Sequence, residues 1–251
     1  MILDNIGVEH LTIDAVMYTL AILRNFKYCG FKGTFPKNLK ARSVLRESGF
    51  LNYVQTYNGE AFLPDTNQIQ IRTGYEVDSK MAQEIRNFAS KDLPKEQRTS
   101  HLYEMLIELM ANTKNHAYDK DEILWDKSWY IYAKKENEKV SFTFLDTGDG
   151  IPSTVHKNYF ERAKDLIVNS EVSYIVSALV GEVARSQTKQ GNRGNGLPEI
   201  YNLNKVGKIT KLSIISGKGY YISGEAEDNL SESFDGTIVY WEISKLEKEA
   251  S

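Results

Sequence analysis

Residues 140–151 read Val140-Ser141-Phe142-Thr143-Phe144-Leu145-Asp146-Thr147-Gly148-Asp149-Gly150-Ile151. The first part alternates like a strand, and Asp146 shares the parity of Val140, Phe142 and Phe144, so it projects from the apolar face of a sheet. A carboxylate in that position needs a donor partner, because an unpaired buried charge is costly. The exocyclic amine of adenine would be such a donor. Gly148 and Gly150 let the backbone turn sharply and come close to a ligand. An Asp-Gly turn alone accounts for the glycines, but it does not account for an acid that points inward.

Working outward, Trp129 to Ala133 pairs with this strand as an antiparallel hairpin across a Lys/Glu/Asn turn. Upstream, Gln68 to Tyr75 alternates like a further strand. Arg98 to Ala117 reads as a long helix with Leu102, Leu106, Leu109 and Thr113 along one face. Downstream, Tyr159 to Ala184 has a helical pattern, a loop rich in Gly and Asn comes next, and residues 197–204 form a short helix. Two last strands are expected near 209–215 and 237–243. The pattern predicts an α+β fold, a mixed and largely antiparallel sheet with helices on one face.

The first sixty residues read differently. Ile13, Val16, Met17, Leu20, Ala21 and Leu23 recur at helical spacing after a Thr12 cap, with Gly30 as the stop. A second short helix starts after Pro36, carries Leu39, Val44 and Leu45, and ends at Gly49. Asn58-Gly59 and Pro64-Asp65 lie in a polar, turn-rich stretch that suits a boundary. The expected division is an N-terminal segment over 1–62, a main domain over 66–245 and a frayed tail over 246–251. The first segment is either a truncated α/β module or a cap on the main domain.

Composition limits the function classes. The 251 residues carry 31 basic and 34 acidic side chains, a formal net charge of −3. That balance gives no electrostatic footprint for nucleic acid or an anionic membrane. With 41% hydrophobic and 11% aromatic residues, the chain can bury a sizeable core. The single Cys29 rules out an intramolecular disulfide framework and a Cys-rich zinc site, and it reads as a small buried hydrophobe. There is no long apolar run and no signal-peptide pattern at the N-terminus, so a cytoplasmic protein is expected. His10, His101 and His156 show no metal-ligand spacing. Trp125, Trp129 and Trp241 read as packing residues, and Glu104 as a solvated neighbour of Glu108.

Three further stretches carry chemistry. On the long helix, Glu108, Asn112 and His116 are spaced four apart, so each steps only roughly 40° around the axis and all share one face. A carboxylate can orient or deprotonate water, and an amide oxygen is a hard ligand suited to Mg²⁺. Taken alone, a polar helix flank with no task explains this triplet more simply. In Gly191-Asn192-Arg193-Gly194-Asn195-Gly196-Leu197-Pro198, the glycines expose backbone N–H groups and Pro198 suits the first turn of a helix. Such a helix start attracts phosphate, and Arg193 adds a positive charge. A Gly-rich stretch by itself is more often a linker. Gly236-Thr237, opening the last strand, means nothing in isolation.

Together and in this order, the four stretches resemble the Bergerat-fold ATP-binding domain of the GHKL group: DNA gyrase, heat-shock chaperones, sensor histidine kinases and MutL-type repair proteins. Glu108-x-x-x-Asn112 is similar to that family's N box and Asp146-x-Gly148-x-Gly150 to its Asp-x-Gly-x-Gly box. Gly194-Asn195-Gly196-Leu197 is similar to its Gly-x-Gly-Leu box, and Gly236-Thr237 to its terminal Gly-Thr. The resemblance spans about residues 66–245.

The resemblance implies a role for each matched residue. Asn112 would coordinate Mg²⁺ bridging the phosphates, and Asp146 would accept from adenine N6 with Thr237 helping through water. Gly150 and Ile151 would line the base pocket. Arg193, Gly194, Asn195, Gly196 and Leu197 would contact phosphates, as would His116. Glu108 would be the base or water-orienting group, and residues 152–190 would be the ATP lid. Asp14–Leu23, Gly33-Thr34-Phe35-Pro36 and Ser48-Gly49-Phe50 are faintly similar to the second half of a STAS-type domain, without its front strands or its phosphoacceptor pair.

The expected function is a Mg²⁺-dependent ATP-binding protein that hydrolyses slowly and serves as a nucleotide-driven conformational switch or regulatory subunit, with a protein partner or a second copy. Two alternatives stay open. One is a protein kinase of the anti-sigma-like serine or the histidine branch acting on a separate partner. Neither His10, followed by Leu11, nor His101, followed by Leu102, makes the His-acid pair of an intact sensor kinase. The other is a non-hydrolysing ATP sensor in a stress or phage-defence module.

Overall fold

The computed structural model describes residues 2–25, 32–54, 65–91, 93, 99–115, 127–153, 170–181, 196–225 and 228–244. Its centre is a five-stranded antiparallel sheet in the order β3-β4-β5-β7-β6. The strands are β3 (Gln68–Gly74), β4 (Trp129–Glu136), β5 (Lys139–Asp146), β6 (Thr210–Ile222) and β7 (Asp228–Ser244). Two short N-terminal strands, β1 (Ile2–Leu3) and β2 (Lys32–Gly33), pair in parallel and make a separate two-stranded sheet.

The central strands are apolar on both faces, which decides the layering. Trp129, Ile131, Ala133, Val140, Phe142, Phe144, Val239 and Trp241 belong to one core. Tyr130, Tyr132, Leu145 and Ile238 belong to another. These two sets alternate along each strand, so they lie on opposite faces. β3 shows a register shift between Ile69 and Arg72, and this bulge lets Ile69 join the first core while Ile71 joins the second.

The first face is covered by α3 (Ser79–Ser90), α4 (Ser100–Asn115), α5 (Glu171–Leu179) and α6 (Gly196–Lys205). α4 buries Leu102, Met105, Leu106, Leu109 and Met110 at the i, i+3, i+4, i+7 spacing expected of a core-facing helix. α3, absent from the sequence expectation, is capped by the Asp78 carboxylate, accepting from Met81 N at 2.9 Å. It buries Ala82, Ile85, Phe88 and Ala89.

The second face is covered by the N-terminal segment. α1 (Ile13–Asn25) begins with Val16 N donating to Thr12 O and buries Val16, Met17, Leu20, Ala21 and Leu23. α2 (Leu39–Glu47) is capped by Asn38, whose side chain accepts from Lys40 N and Ala41 N. Gly49, at φ 84°, turns the chain into the 3₁₀ turn Phe50–Asn52. Phe50 and Leu45 share a core with Ile71, Tyr130 and Leu145. The segment is therefore the second layer of the same sheet rather than a body apart. Its 48–53 stretch also closes the outer edge of β3, for Ile71 N donates to Ser48 O at 2.8 Å and the Tyr53 hydroxyl to Ile71 O at 2.9 Å.

Elements further along the chain also depart from the sequence expectation, in burial and in length. Within the expected lid over 152–190, residues 171–179 form α5, whose Val172, Ile175 and Leu179 are buried in the first core. Gly219 of β6 makes this packing close: a Cβ there would stand 2.7 Å from Ile175 Cδ1. The last two strands also run far beyond 209–215 and 237–243. Gly217 at φ 60° and the register shifts around it bend β6, and Ser223 N returns to donate to Leu212 O.

Candidate functional site

One end of the sheet brings together Asp146 and Thr237, two polar residues singled out by the sequence. Asp146 closes β5 and pairs in register with Thr237 of β7, which pairs in turn with Ser216 of β6. By strand parity with Phe144, Val239 and Ile214, all three belong to the face that carries α4 and α6. Asp146, Thr237 and Ser216 thus form a polar row across three adjacent strands, at the edge of an apolar core.

Asp146 is held from several sides. Its Oδ1 accepts from Gly148 N at 2.8 Å, closing an Asx turn, and the Thr237 hydroxyl is hydrogen-bonded to the carboxyl. Burial nevertheless pushes the Asp146 carboxyl up to about 6, against the lowering effect of those two donors. The Asp149 charge adds slightly to the rise. Lys127, paired to Asp149 at 2.7 Å, opposes it. The turn is clamped from below, where Thr147 N donates to Ser128 O and Ser128 N to Thr147 Oγ1.

Gly236 and Gly150 are where this end of the fold requires glycine. Gly236 sits at φ 113°, and a Cβ on it would lie 2.1 Å from Asp146 O. Gly150 sits at φ 78°, with Ser216 Oγ 2.9 Å from the position of a Cβ. The loop after β5 therefore lies directly on the β6–β7 strand pair. Ile151, buried, is fixed by its N–H donating to Ser216 Oγ at 2.8 Å.

The helical part of the site forms where α6 starts against α4. A Cβ on Gly196, the first residue of α6, would stand 2.8 Å from Glu108 Cβ and 3.5 Å from Asn112 Nδ2. Two segments far apart in the chain are in contact here. Leu197 packs against the core beside them. Glu108 and Asn112 are half-buried, as the edge position on the helix predicts. Met110 Sδ accepts from Asp78 N, and the Trp129 indole donates to Glu76 O. These bonds tie the second half of α4 to the sheet end that carries Trp129 and its register partner Asp146.

Glu199, one turn into α6, was not singled out from the sequence. Its carboxyl is held above the usual range by burial first, then by the Glu104 and Glu108 charges and a hydrogen bond with Glu104. Glu104 is exposed, as expected, but it is not idle. Ser216 was missed as well, because a lone serine in a strand gives no sequence signal. His116, Arg193, Gly194 and Asn195 lie outside the described residues, as does most of the expected lid.

Among the described residues, no three His, Cys, Asp or Glu side chains are arranged to hold a metal ion by themselves. The oxygen donors at the α4–α6 contact still suit Mg²⁺, which prefers one or two protein oxygens together with substrate phosphates. At this contact Asn112 Nδ2 and Glu108 Oε2 each lie 3.5 Å from where a Cβ on Gly196 would stand. Among the described residues, no helix is long and apolar enough to cross a membrane. No protein-family model matches the chain, and no curated protein matches it.

Proposed function

We propose that this chain binds ATP with Mg²⁺ between α4, the Asp146–Ile151 loop and the start of α6, hydrolyses it slowly, and uses it as a conformational switch. The observation that carries this reading is the direct contact of Gly196 with Glu108 and Asn112, together with the register pairing of Asp146 and Thr237 at the sheet end. The third stretch meets the first where Gly196 lies against Glu108 and Asn112, and the second meets the fourth where Asp146 pairs with Thr237.

Each residue has a part. Asp146, fixed by Gly148 N–H and Thr237, offers an acceptor to an exocyclic amine of the base. Gly150 and Ile151 form the adjoining wall. The free N–H groups at the start of α6 receive phosphate. Glu104, Glu108 and Glu199 concentrate negative charge at the α4–α6 contact, which repels bare phosphates and favours entry of the nucleotide with its cation. Bound there with Asn112 as a ligand, Mg²⁺ would neutralise phosphate charge. Glu108 is then the group that orients or deprotonates the attacking water.

A thermal-shift titration with ATP, ADP and GTP, with and without Mg²⁺, tests the reading, together with phosphate release on the same sample. A ligand that binds only the native state raises the melting temperature. The expected result is an adenine-selective, Mg²⁺-dependent rise together with slow phosphate release. No shift at millimolar nucleotide overturns it. Transfer of the γ-phosphate to another protein would select a kinase, and binding without turnover would select a sensor.

A further inference from the structure

We propose that Ser216 is a positioning residue for base selection, its buried hydroxyl setting the direction of the hydrogen bonds that reach Asp146 through Thr237. The proposal rests on Asp146 being the base acceptor.

Ser216 is fully buried, and three polar groups meet at its oxygen. Ile151 N donates to it at 2.8 Å, it donates to Gly236 O at 2.8 Å, and Thr237 Oγ1 lies 3.1 Å away. A hydroxyl has one proton and two lone pairs. The proton goes to Gly236 O and one lone pair takes the Ile151 N–H. What Ser216 offers Thr237 is therefore a lone pair. Thr237 in turn has one proton and two acceptors, the Asp146 carboxyl and Ser216.

Counting protons gives the device its direction. While Asp146 is ionised, its carboxylate is the stronger acceptor and Thr237 donates to it. When Asp146 carries a proton, that proton turns inward to Thr237, Thr237 donates to Ser216, and Ser216 donates to Gly236 O. In both states the ligand-facing oxygen of Asp146 stays an acceptor. A base with an exocyclic amine is matched, and a base with a carbonyl at the same position meets acceptor against acceptor. Without Ser216 the inward chain has no end, so the Asp146 proton can turn outward and satisfy that carbonyl. The charged groups bearing on Asp146 besides these are Asp149 and Lys127, which pair with each other.

The test compares ATP with ITP, which carries a carbonyl in place of the amine, by calorimetric titration at pH 5.5 and 7.5. The protein is used as wild type, Ser216→Ala and Thr237→Val. In parallel, carboxyl-carbon NMR tracks the titration of Asp146 in the nucleotide-free protein. Ser216→Ala is expected to lower the preference for ATP about tenfold at pH 5.5, the scale of one net hydrogen bond, and less at pH 7.5. It also lowers the Asp146 midpoint, because the protonated form loses its acceptor chain. Thr237→Val raises that midpoint, because the ionised form loses a donor. Opposite signs are what a purely structural role would not produce. An unchanged preference and midpoint in Ser216→Ala overturn the proposal. If wild type binds neither nucleotide, the nucleotide reading falls while the two midpoints still decide the role of Ser216. Should Ser216→Ala lose its native circular dichroism, Ser216→Cys, a weaker donor and acceptor, is measured instead with the same signs expected.

Discussion

Gly196 at the start of α6 lies so close to Glu108 of α4 that a Cβ on the glycine would stand 2.8 Å from the Glu108 Cβ. Neither atom is the end of a flexible side chain, so a methyl group at 196 forces the two helices apart. Gly196→Ala should cost about 1–3 kcal/mol, the scale of overpacking in a tight contact. On the proposed reading these atoms face phosphate, so the ATP-induced rise in melting temperature should shrink as well. A variant with wild-type stability and a wild-type ATP response would show that the contact has no role in either.

Gly236 tests the backbone fit of the sheet end where Asp146 and Thr237 pair. Its φ of 113° is one that side-chain-bearing residues avoid, and a Cβ would sit 2.1 Å from the backbone oxygen of Asp146. Backbone strain and the clash act together, so Gly236→Ala should destabilise by about 3 kcal/mol or more. Gly7, where nothing lies within 4 Å of an added Cβ, is the control, and Gly7→Ala should leave urea unfolding nearly unchanged.

Asp146 and Ser216 sit in the same polar row, yet only one of them is legible in the sequence. The inward Asp146 comes from parity with Phe142 and Phe144, because a strand's period of two leaves no freedom once its apolar face is known. Ser216 gives no such signal, for its importance lies in three partners drawn from β7 and from the loop after β5. The approach of Gly196 to Glu108 is expected only through resemblance, since nothing in either segment names the other. In α3, Ala82, Ile85, Phe88 and Ala89 do repeat at helical spacing, but long polar side chains such as Lys80, Gln83 and Arg86 dilute the pattern. α5 reads as part of a lid, because its burial depends on the small residue Gly219 in a strand far along the chain.

The N-terminal segment should not unfold on its own. Leu20 of α1 is fully buried in the core that also holds Ile71, Tyr130, Leu145 and Ile238 of the sheet. Arg24 at the end of α1 adds a contact, its guanidinium lying 5.6 Å from the Tyr53 ring and 5.9 Å from Tyr130. Leu20→Ala should cost about 2–5 kcal/mol, as for other fully buried leucines. Fluorescence of Trp129 and Trp241, which lie on the opposite face, should report one cooperative transition at lower urea. An unmoved tryptophan transition would mean that the two layers unfold independently.

Asp146 gives a pH dependence whose sign differs between stability and binding. Burial holds the folded carboxyl near 6, above its ordinary range, so between that range and about 6 the folded state binds more protons than the unfolded one. The carboxyl's contribution therefore favours the fold at lower pH and is lost as pH rises through this window. An amine donor on the ligand prefers the ionised form, so affinity for ATP should instead weaken as pH falls below about 6. Asp146→Asn separates the two effects. Stability loses its slope in that window, since the amide does not titrate. ATP binding falls at every pH, since the amide offers the base a weaker acceptor and can turn a donor toward it. Calorimetric titration and thermal melts from pH 5 to 8 read both trends. Binding that strengthens toward pH 5 in the wild type would remove Asp146 from the role of amine acceptor.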